Sequence, residues 1–361
     1  MQEPGEGRIA VIGGDGIGPE VVEAGVRVLE APTGGETGGE NSPALRFTRF
    51  PWGCEYYLEN GRMMPEDGLE TLSGFDAIYL GAVGWPTVPD HVSLWGLLLP
   101  IRRAFEQYVN LRPARLLSGV ESPLASPGDL DVTVVRENTE GEYSDSGGRM
   151  FSGTPHEVVI QESVFTRRGV ERIVRYAYEE AKSRRGLLTG ATKSNGISIT
   201  MPFFDEVFRE VGEEYPDVEA SLMHADALAA RLVLDPERFD VVVGSNLLGD
   251  ILSEVTAAVA GAIGIAPSAN LNPEREYPSL FEPIHGSAPD IAGEGVANPS
   301  GAIWAGAMML DHIGRPEASG RVLAALEETL ADGTRTRDLG GSATTEEVTS
   351  AVVERLRSQT S

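Results

Sequence analysis

The run Val241-Val242-Val243-Gly244-Ser245-Asn246-Leu247-Leu248-Gly249-Asp250-Ile251-Leu252-Ser253-Glu254 constrains this chain more than any other. Three β-branched apolar residues predict a buried strand, Gly-Ser-Asn a short polar loop, and the remainder a helix. On that helix Asp250 and Glu254 lie four residues apart and share one face. Adjacent carboxylates repel each other and call for a cation. Ligands made only of oxygen suit a hard divalent ion such as Mg²⁺ or Mn²⁺, which commonly keeps positions open for substrate. A solvated acidic helix face is the competing reading of the pair taken alone.

Strand and helix alternate along the rest of the chain. Arg8-Ile9-Ala10-Val11-Ile12 predicts a first strand, and Pro19 opens a helix with an apolar stripe of Val21, Val22, Ala24, Gly25, Val28 and Leu29. Further strands are expected at 76–84, 131–136 and 240–243, and helices at 169–183 and 302–313. Residues 33–42, rich in Gly, Glu and Thr, predict a mobile loop. The alternation argues an α/β fold, and 361 residues suggest two domains or one large one. The glycine loop Gly13-Gly14-Asp15-Gly16-Ile17-Gly18 invites a dinucleotide-binding reading. Its Gly-x-Gly-x-Gly spacing lacks the three-residue offset of a Rossmann loop, and no acid ends a second strand about 20 residues on. A nucleotide would have to bind through another loop.

Arginine clusters around one segment, at Arg102, Arg103, Arg112 and Arg136. Arg136 closes an apolar strand, where α/β proteins commonly place ligand groups. A planar guanidinium pairs two-to-two with a carboxylate, so several in one pocket predict a small di-anionic substrate. Surface pairing with the surplus acids is the alternative, strongest for Arg103. Lysine occurs only at Lys182 and Lys193, and Lys193 sits in the polar turn Thr192-Lys193-Ser194-Asn195-Gly196. A lysine buried near other cations loses basicity and works as a general base. Tyr143 can deliver a proton, and Asp226 adds a third carboxylate at a predicted helix start. Singly, each of these has an ordinary structural reading.

His285-Gly286-Ser287-Ala288-Pro289-Asp290 forms a second polar loop. Its main-chain N–H groups and Ser287 suit phosphate, while Asp290 suits ribose hydroxyls and repels a 2′-phosphate, favouring NAD over NADP. Cys54 is the one cysteine, so no internal disulfide forms, and it is expected to pack beside Trp52 and Tyr56.

Together these segments resemble the metal-dependent β-decarboxylating dehydrogenases of the isocitrate/isopropylmalate dehydrogenase family. The likeness runs from Gly13 through Glu20 to Asn298-Pro299 and is most specific in Asn246–Ser253 and the His285–Asp290 loop. Segments at 61–68, 82–86, 93–103 and 161–166 place it nearest the branch acting on tartrate and D-malate. The resemblance implies a two-domain α/β fold, isopropylmalate dehydrogenase-like and not Rossmann. Its large domain would comprise residues 1–107 and 261–361, with both termini and the NAD loop. Its small domain, 108–260, would carry the metal and catalytic residues and most of the dimer contact. The active site would lie in the cleft of a homodimer and be completed by the second subunit.

Residue by residue, the likeness makes Arg102, Arg112 and Arg136 clamps on the substrate carboxylates, with Trp95 and Leu98 also against the substrate. Tyr143 would be the proton donor and Lys193 the base; Asp226, Asp250 and Glu254 would hold Mg²⁺ or Mn²⁺. Lys193 and Asp226 would enter from the other protomer. NAD would lie on His285, Gly286, Ser287, Ala288, Pro289 and Asp290, with Asn298 beside the adenine. A monovalent cation requirement stays open. The implied activity is NAD-dependent oxidation of D-malate or tartrate, D-malate losing CO₂ to give pyruvate.

Two residues depart from the family pattern. Glu254 stands where aspartate is usual, and Trp95 where isopropylmalate enzymes carry glutamate and isocitrate enzymes serine or threonine. An indole fills space and brings no cation to a third carboxylate, so short four-carbon diacids are expected. The alternatives are a 3-isopropylmalate dehydrogenase, separated at Trp95, and a non-catalytic di-anion-binding homologue, favoured by Glu254 alone.

Charge excludes two classes of partner. A net charge of −26 opposes nucleic acid and anionic membranes, and no apolar run approaches the ~20 residues of a membrane span. Residues 1–8 are acidic and Gly-rich, unlike a targeting peptide, so a cytoplasmic location is expected. An acidic chain nearly emptied of lysine fits a high-salt interior, where screening relieves self-repulsion; GC-rich coding is the other source of such a bias. Halophily predicts that the unfolding midpoint falls as KCl is withdrawn. A midpoint undiminished in dilute buffer would remove the idea.

Overall fold

The computed structural model describes residues 7–33, 45–261 and 263–359. Residues 1–6, and 34–42 of the expected loop, lie outside the described residues; Thr33 ends a helix, Gly18–Thr33. The chain divides into two compact units. The first comprises Met1–Gln107, Arg115–Pro123 and Ala260–Ser361; the second comprises Tyr108–Ala114 and Leu124–Val259. Residues 115–123, which the family likeness puts in the middle domain, group instead with the first unit. Gly119 is the reason: a Cβ there would lie 2.4 Å from the Leu330 carbonyl, and Arg335 donates to the Gly119 carbonyl.

The first unit opens with strands β1 (Arg8–Gly14), β2 (Arg46–Phe50) and β3 (Ala77–Ala82), β1 pairing in parallel with both others. The second unit follows with β4 (Val109–Arg115), β5 (Asp131–Glu137), β6 (Gly147–Met150) and β7 (Val158–Gln161), then β8 (Leu187–Thr192), β9 (Glu219–His224) and β10 (Val241–Gly244). The chain then returns to the first unit for β11 (Pro267–Leu271) and β12 (Ser279–Pro283). The order in the first unit is β2-β1-β3-β12-β11, and in the second β4-β5-β10-β8-β9. β3 and β10 are buried at every residue, as parallel strands covered on both faces are. That is why Val241-Val242-Val243 shows no polar alternation. The helix Ser300–His312 is apolar nearly all round and runs through the first unit's interior, so it is buried on almost every side.

β6 and β7 form a separate antiparallel ribbon that sequence periodicity does not reveal. Met150, Val158, Val159 and Ile160 are exposed along it. Cys54 is buried among Trp52, Met63 and Leu80, as expected, and burial pushes its thiol up to about 12, away from nucleophilic use. Among the described residues no helix is long and apolar enough to cross a membrane.

His312, in the last turn of Ser300–His312, lies against the Phe281 ring with centroids 5.5 Å apart. Burial, reinforced by Arg275, pushes its imidazole from 6.5 down to about 4. The unfolded chain therefore takes up this proton first as pH falls, and the stability present above about pH 6.5 is lost toward pH 4. His312→Asn should flatten the stability-against-pH curve in that window, measured by urea unfolding. An unaltered slope would show that the ring does not resist protonation.

Candidate active site

The helix Asn246–Val259 frames the polar centre of the second unit. Leu248, Leu252 and Val255, at positions i, i+4 and i+7, pack with Val132, Val134 and Val242. Asp250 and Glu254 are thereby turned away from that core, with 31% and 45% of their side chains exposed. Across from the helix start, the Glu142 carboxylate accepts from Ser245 Oγ at 2.7 Å and from the Leu247 N–H at 3.0 Å. An acid there satisfies otherwise orphaned N–H groups and the positive helix end. It also ties the Tyr143 segment down beside Asp250.

Two arginines lie against the acidic pair. Arg112 Nη1 lies 3.2 Å from Asp250 Oδ1, 2.7 Å from Ser253 Oγ and 3.6 Å from Glu254 Oε1. Arg136 Nη1 donates to the same Asp250 oxygen, while its Nε and Nη2 reach Asn246 Oδ1 at 3.1 and 2.7 Å. Tyr143 Oη donates to Asp250 Oδ2 at 3.0 Å, and the Arg136 guanidinium lies over the Tyr143 ring. Burial and the Asp250 charge raise the Tyr143 phenol above its ordinary value, against the pull of Arg136, so the hydroxyl stays protonated. Burial also raises the Glu254 carboxyl, opposed by Arg112.

Lys193 and Asp226 form a second, separate pair. Lys193 Nζ lies 2.7 Å from Asp226 Oδ1, and the carboxylate is 69% exposed. The hydrogen bond from Lys193 holds the Asp226 carboxyl below its usual range. The lysine's neighbour is thus an acid, where sequence reasoning anticipated cations. Among the described residues, no three His, Cys, Asp or Glu side chains of one chain converge as metal ligands. Asp250 and Glu254 nonetheless offer two part-exposed oxygen donors one turn apart, which fit two positions of a hard-cation shell.

The remaining candidates belong to the first unit. Arg102 is buried and pairs with Glu282 Oε1 at 2.9 Å; the same oxygen accepts from Asn270 at 2.8 Å. Trp95 is exposed, whereas Leu98 packs into the core with Leu97, Ile101 and Met63. The His285–Asp290 loop backs onto the glycine loop: the Ile17 N–H donates to the Ser287 carbonyl at 2.9 Å. A Cβ on Gly16 would lie 1.9 Å from that carbonyl, and Gly16 has φ +59°, so only glycine fits. The glycine loop therefore buttresses the second loop.

The second loop carries the features of a ligand site. His285 Nε2 is buried with no hydrogen-bond partner among the described residues, and burial favours the neutral ring by lowering its pKa. Gly286 faces open space, and Asp290 is exposed. Asn298 donates to Asp338 Oδ2 at 2.9 Å and accepts from the Ser300 N–H at 3.0 Å. Sequence reasoning missed Glu142, Asn246, Ser253, Glu282 and Asp338. Only Asn246 and Ser253 carried a signal, lying beside Asp250 within the motif; the others act across long sequence separations.

The isocitrate/isopropylmalate dehydrogenase family profile matches residues 8–352. A D-malate dehydrogenase [decarboxylating] of Escherichia coli is 60% identical over 355 residues, 96% of this chain and 97% of its own. A tartrate dehydrogenase/decarboxylase of Pseudomonas putida is 55% identical over 360 residues, covering 97% of each. The crystal structure of isocitrate dehydrogenase from Methylococcus capsulatus superposes with a TM-score of 0.86 at 36% identity, over 97% of this chain and 99% of that one. This chain belongs to the isocitrate/isopropylmalate dehydrogenase family.

Proposed function

We propose that this protein oxidises a four-carbon 2-hydroxy diacid, D-malate or tartrate, with NAD⁺, and that D-malate then loses CO₂ to leave pyruvate. The observation that carries the reading is the convergence of two buried arginines and a protonated tyrosine on Asp250, one helical turn from Glu254. The relatives named for D-malate and tartrate chemistry support the choice of substrate. Trp95 supports it too, since a bulky indole offers a third carboxylate no cation, only a single neutral N–H.

In this reading Arg112 and Arg136, with Arg102, grip the substrate carboxylates through paired N–H···O bonds. Asp250, Glu254 and Asp226 of a second copy are the residues to hold Mg²⁺ or Mn²⁺. The bound ion would supply polarisation of the 2-hydroxyl and its neighbouring carboxylate. Lys193, also of the second copy, removes the hydroxyl proton as hydride passes from C2 to the nicotinamide. The product is a 2-oxo acid whose other carboxylate lies β to the new carbonyl. Its C–C bond breaks with the electron pair moving toward the carbonyl oxygen, where the arginines offset the developing charge. Tyr143 returns a proton to the carbon that lost CO₂.

The same assignment calls for a homodimer: within one chain Lys193 pairs with Asp226, and among the described residues no group of three metal-ligating side chains forms. The apolar ribbon β6–β7 offers a surface for such a partner. His285 Nε2, the space at Gly286 and exposed Asp290 support NAD as the dinucleotide.

Initial rates with D-malate, tartrates and 3-isopropylmalate, using NAD⁺ or NADP⁺ with and without EDTA, test the reading. D-malate with NAD⁺ and Mn²⁺ should yield NADH and CO₂, and EDTA should abolish both. 3-Isopropylmalate should be used at least about tenfold less efficiently. Efficient isopropylmalate turnover would overturn the substrate assignment, and full speed in EDTA the metal role. Lys193→Met should lower kcat by about 10²–10⁴-fold while NAD⁺ binding, followed by fluorescence, persists. Ordinary turnover would clear Lys193 of acting as the base.

A further inference from the structure

The helical run from Asp90 to Ala104 is not uniform. Regular turns at Asp90–Ser93 and Leu99–Ala104 flank a wider one at Leu94–Leu98, where the Leu99 N–H bonds the Leu94 carbonyl five residues back. Pro100 supplies the cause. It has no N–H for the Gly96 carbonyl, and its ring crowds that carbonyl, so the turn opens. Gly96 pins the segment in place, because a Cβ there would lie 2.6 Å from Met63 Cγ.

The wide turn decides which arginine meets Trp95. At 3.6 residues per turn, two α-helical turns bring residue i+7 under residue i, which would seat Arg102 beneath the indole. One extra residue in a turn moves the following face by about one position, so i+8 arrives instead. The side chains follow this arithmetic: the Arg103 guanidinium lies 4.6 Å from the Trp95 ring centroid. Arg102 turns inward, with 8% of its side chain exposed, to meet Glu282.

We infer that Arg103 and Pro100 set acid specificity by positioning Trp95. The stacked guanidinium holds an exposed indole in one orientation, and Pro100 holds the guanidinium in register with it. A fixed indole admits hydrogen or hydroxyl at C3 of the diacid and excludes a branched alkyl group; an indole free to swing admits both. Arg103 is thus a positioning residue that acts through Trp95. The inference rests on the proposed function, in which Trp95 borders the substrate.

The test uses the full-length enzyme and the variants Arg103→Leu, Arg103→Lys and Pro100→Ala, with Trp95→Phe as spectroscopic blank. Acrylamide quenching of the Trp95 fluorescence, taken as the difference from that blank, reads the stacking directly. The ratio of kcat/KM for D-malate over 3-isopropylmalate reads specificity. Arg103→Leu should raise the quenching and lower the ratio on the order of fivefold, mainly through KM. Arg103→Lys, which keeps a cation for the ring, should restore at least half of each effect. Pro100→Ala, which lets the turn tighten, should shift both readouts in the direction of Arg103→Leu. If the parent oxidises D-malate yet Arg103→Leu leaves the ratio unchanged, the specificity role is overturned. Unchanged quenching overturns the stacking itself. A parent inactive on D-malate would instead overturn the functional reading, which the quenching data do not touch.

Discussion

The carboxylate of Asp250 carries the electrostatics of the second unit. Arg112 and Arg136 are both buried, and an unpaired guanidinium in that position would bear a heavy desolvation cost. Asp250 meets both, and Tyr143 closes its remaining oxygen. The same donors that satisfy this one acid are those that a small diacid requires. A site built this way keeps its arginines ordered through Asp250; under the proposed function a diacid would exchange these ion pairs for its own.

Local packing aims that acid. Leu248, Leu252 and Val255 fix the rotation of the helix Asn246–Val259, and Glu142 fixes its first turn. Arg136 leaves the end of β5 at a set height because β5 is paired in register with β10, Gly244 lying opposite Arg136. Gly249 permits the approach: a Cβ on it would lie 2.7 Å from Arg136 Cβ. Core residues thus control the placement of charge, and any change that rotates the helix alters the distances between Asp250 and both arginines.

How much of this is legible in the sequence differs by feature. The fully buried strands announce themselves as apolar runs, so β1, β3, β5 and β10 fall where periodicity places them. The shared face of Asp250 and Glu254 follows from helical geometry alone. The identity of their counter-ion does not, because Arg112 stands 138 residues from Asp250 and only the folded sheet brings them together. The same holds for Asn298 with Asp338, 40 residues apart, and Arg102 with Glu282, 180 apart. The exposed ribbon β6–β7 escapes notice for a different reason: neither face is buried within the chain, so no alternation marks it. The glycine loop is the instructive case. Its spacing rules out a Rossmann site, but the need for Gly16 becomes visible only against the Ser287 carbonyl.

Lysine's near-absence reaches beyond charge balance. Lys182 is exposed near the end of the helix Arg167–Ser183, while Lys193 is clasped by Asp226. Reagents that acylate side-chain amines therefore meet two nucleophiles of very different availability, one open to solvent and one engaged. The chain's side-chain amines are thus close to singly addressable: a fluorophore or tether reaching a lysine would settle on Lys182 before Lys193, leaving the engaged amine as an internal reporter of whether its carboxylate partner has let go.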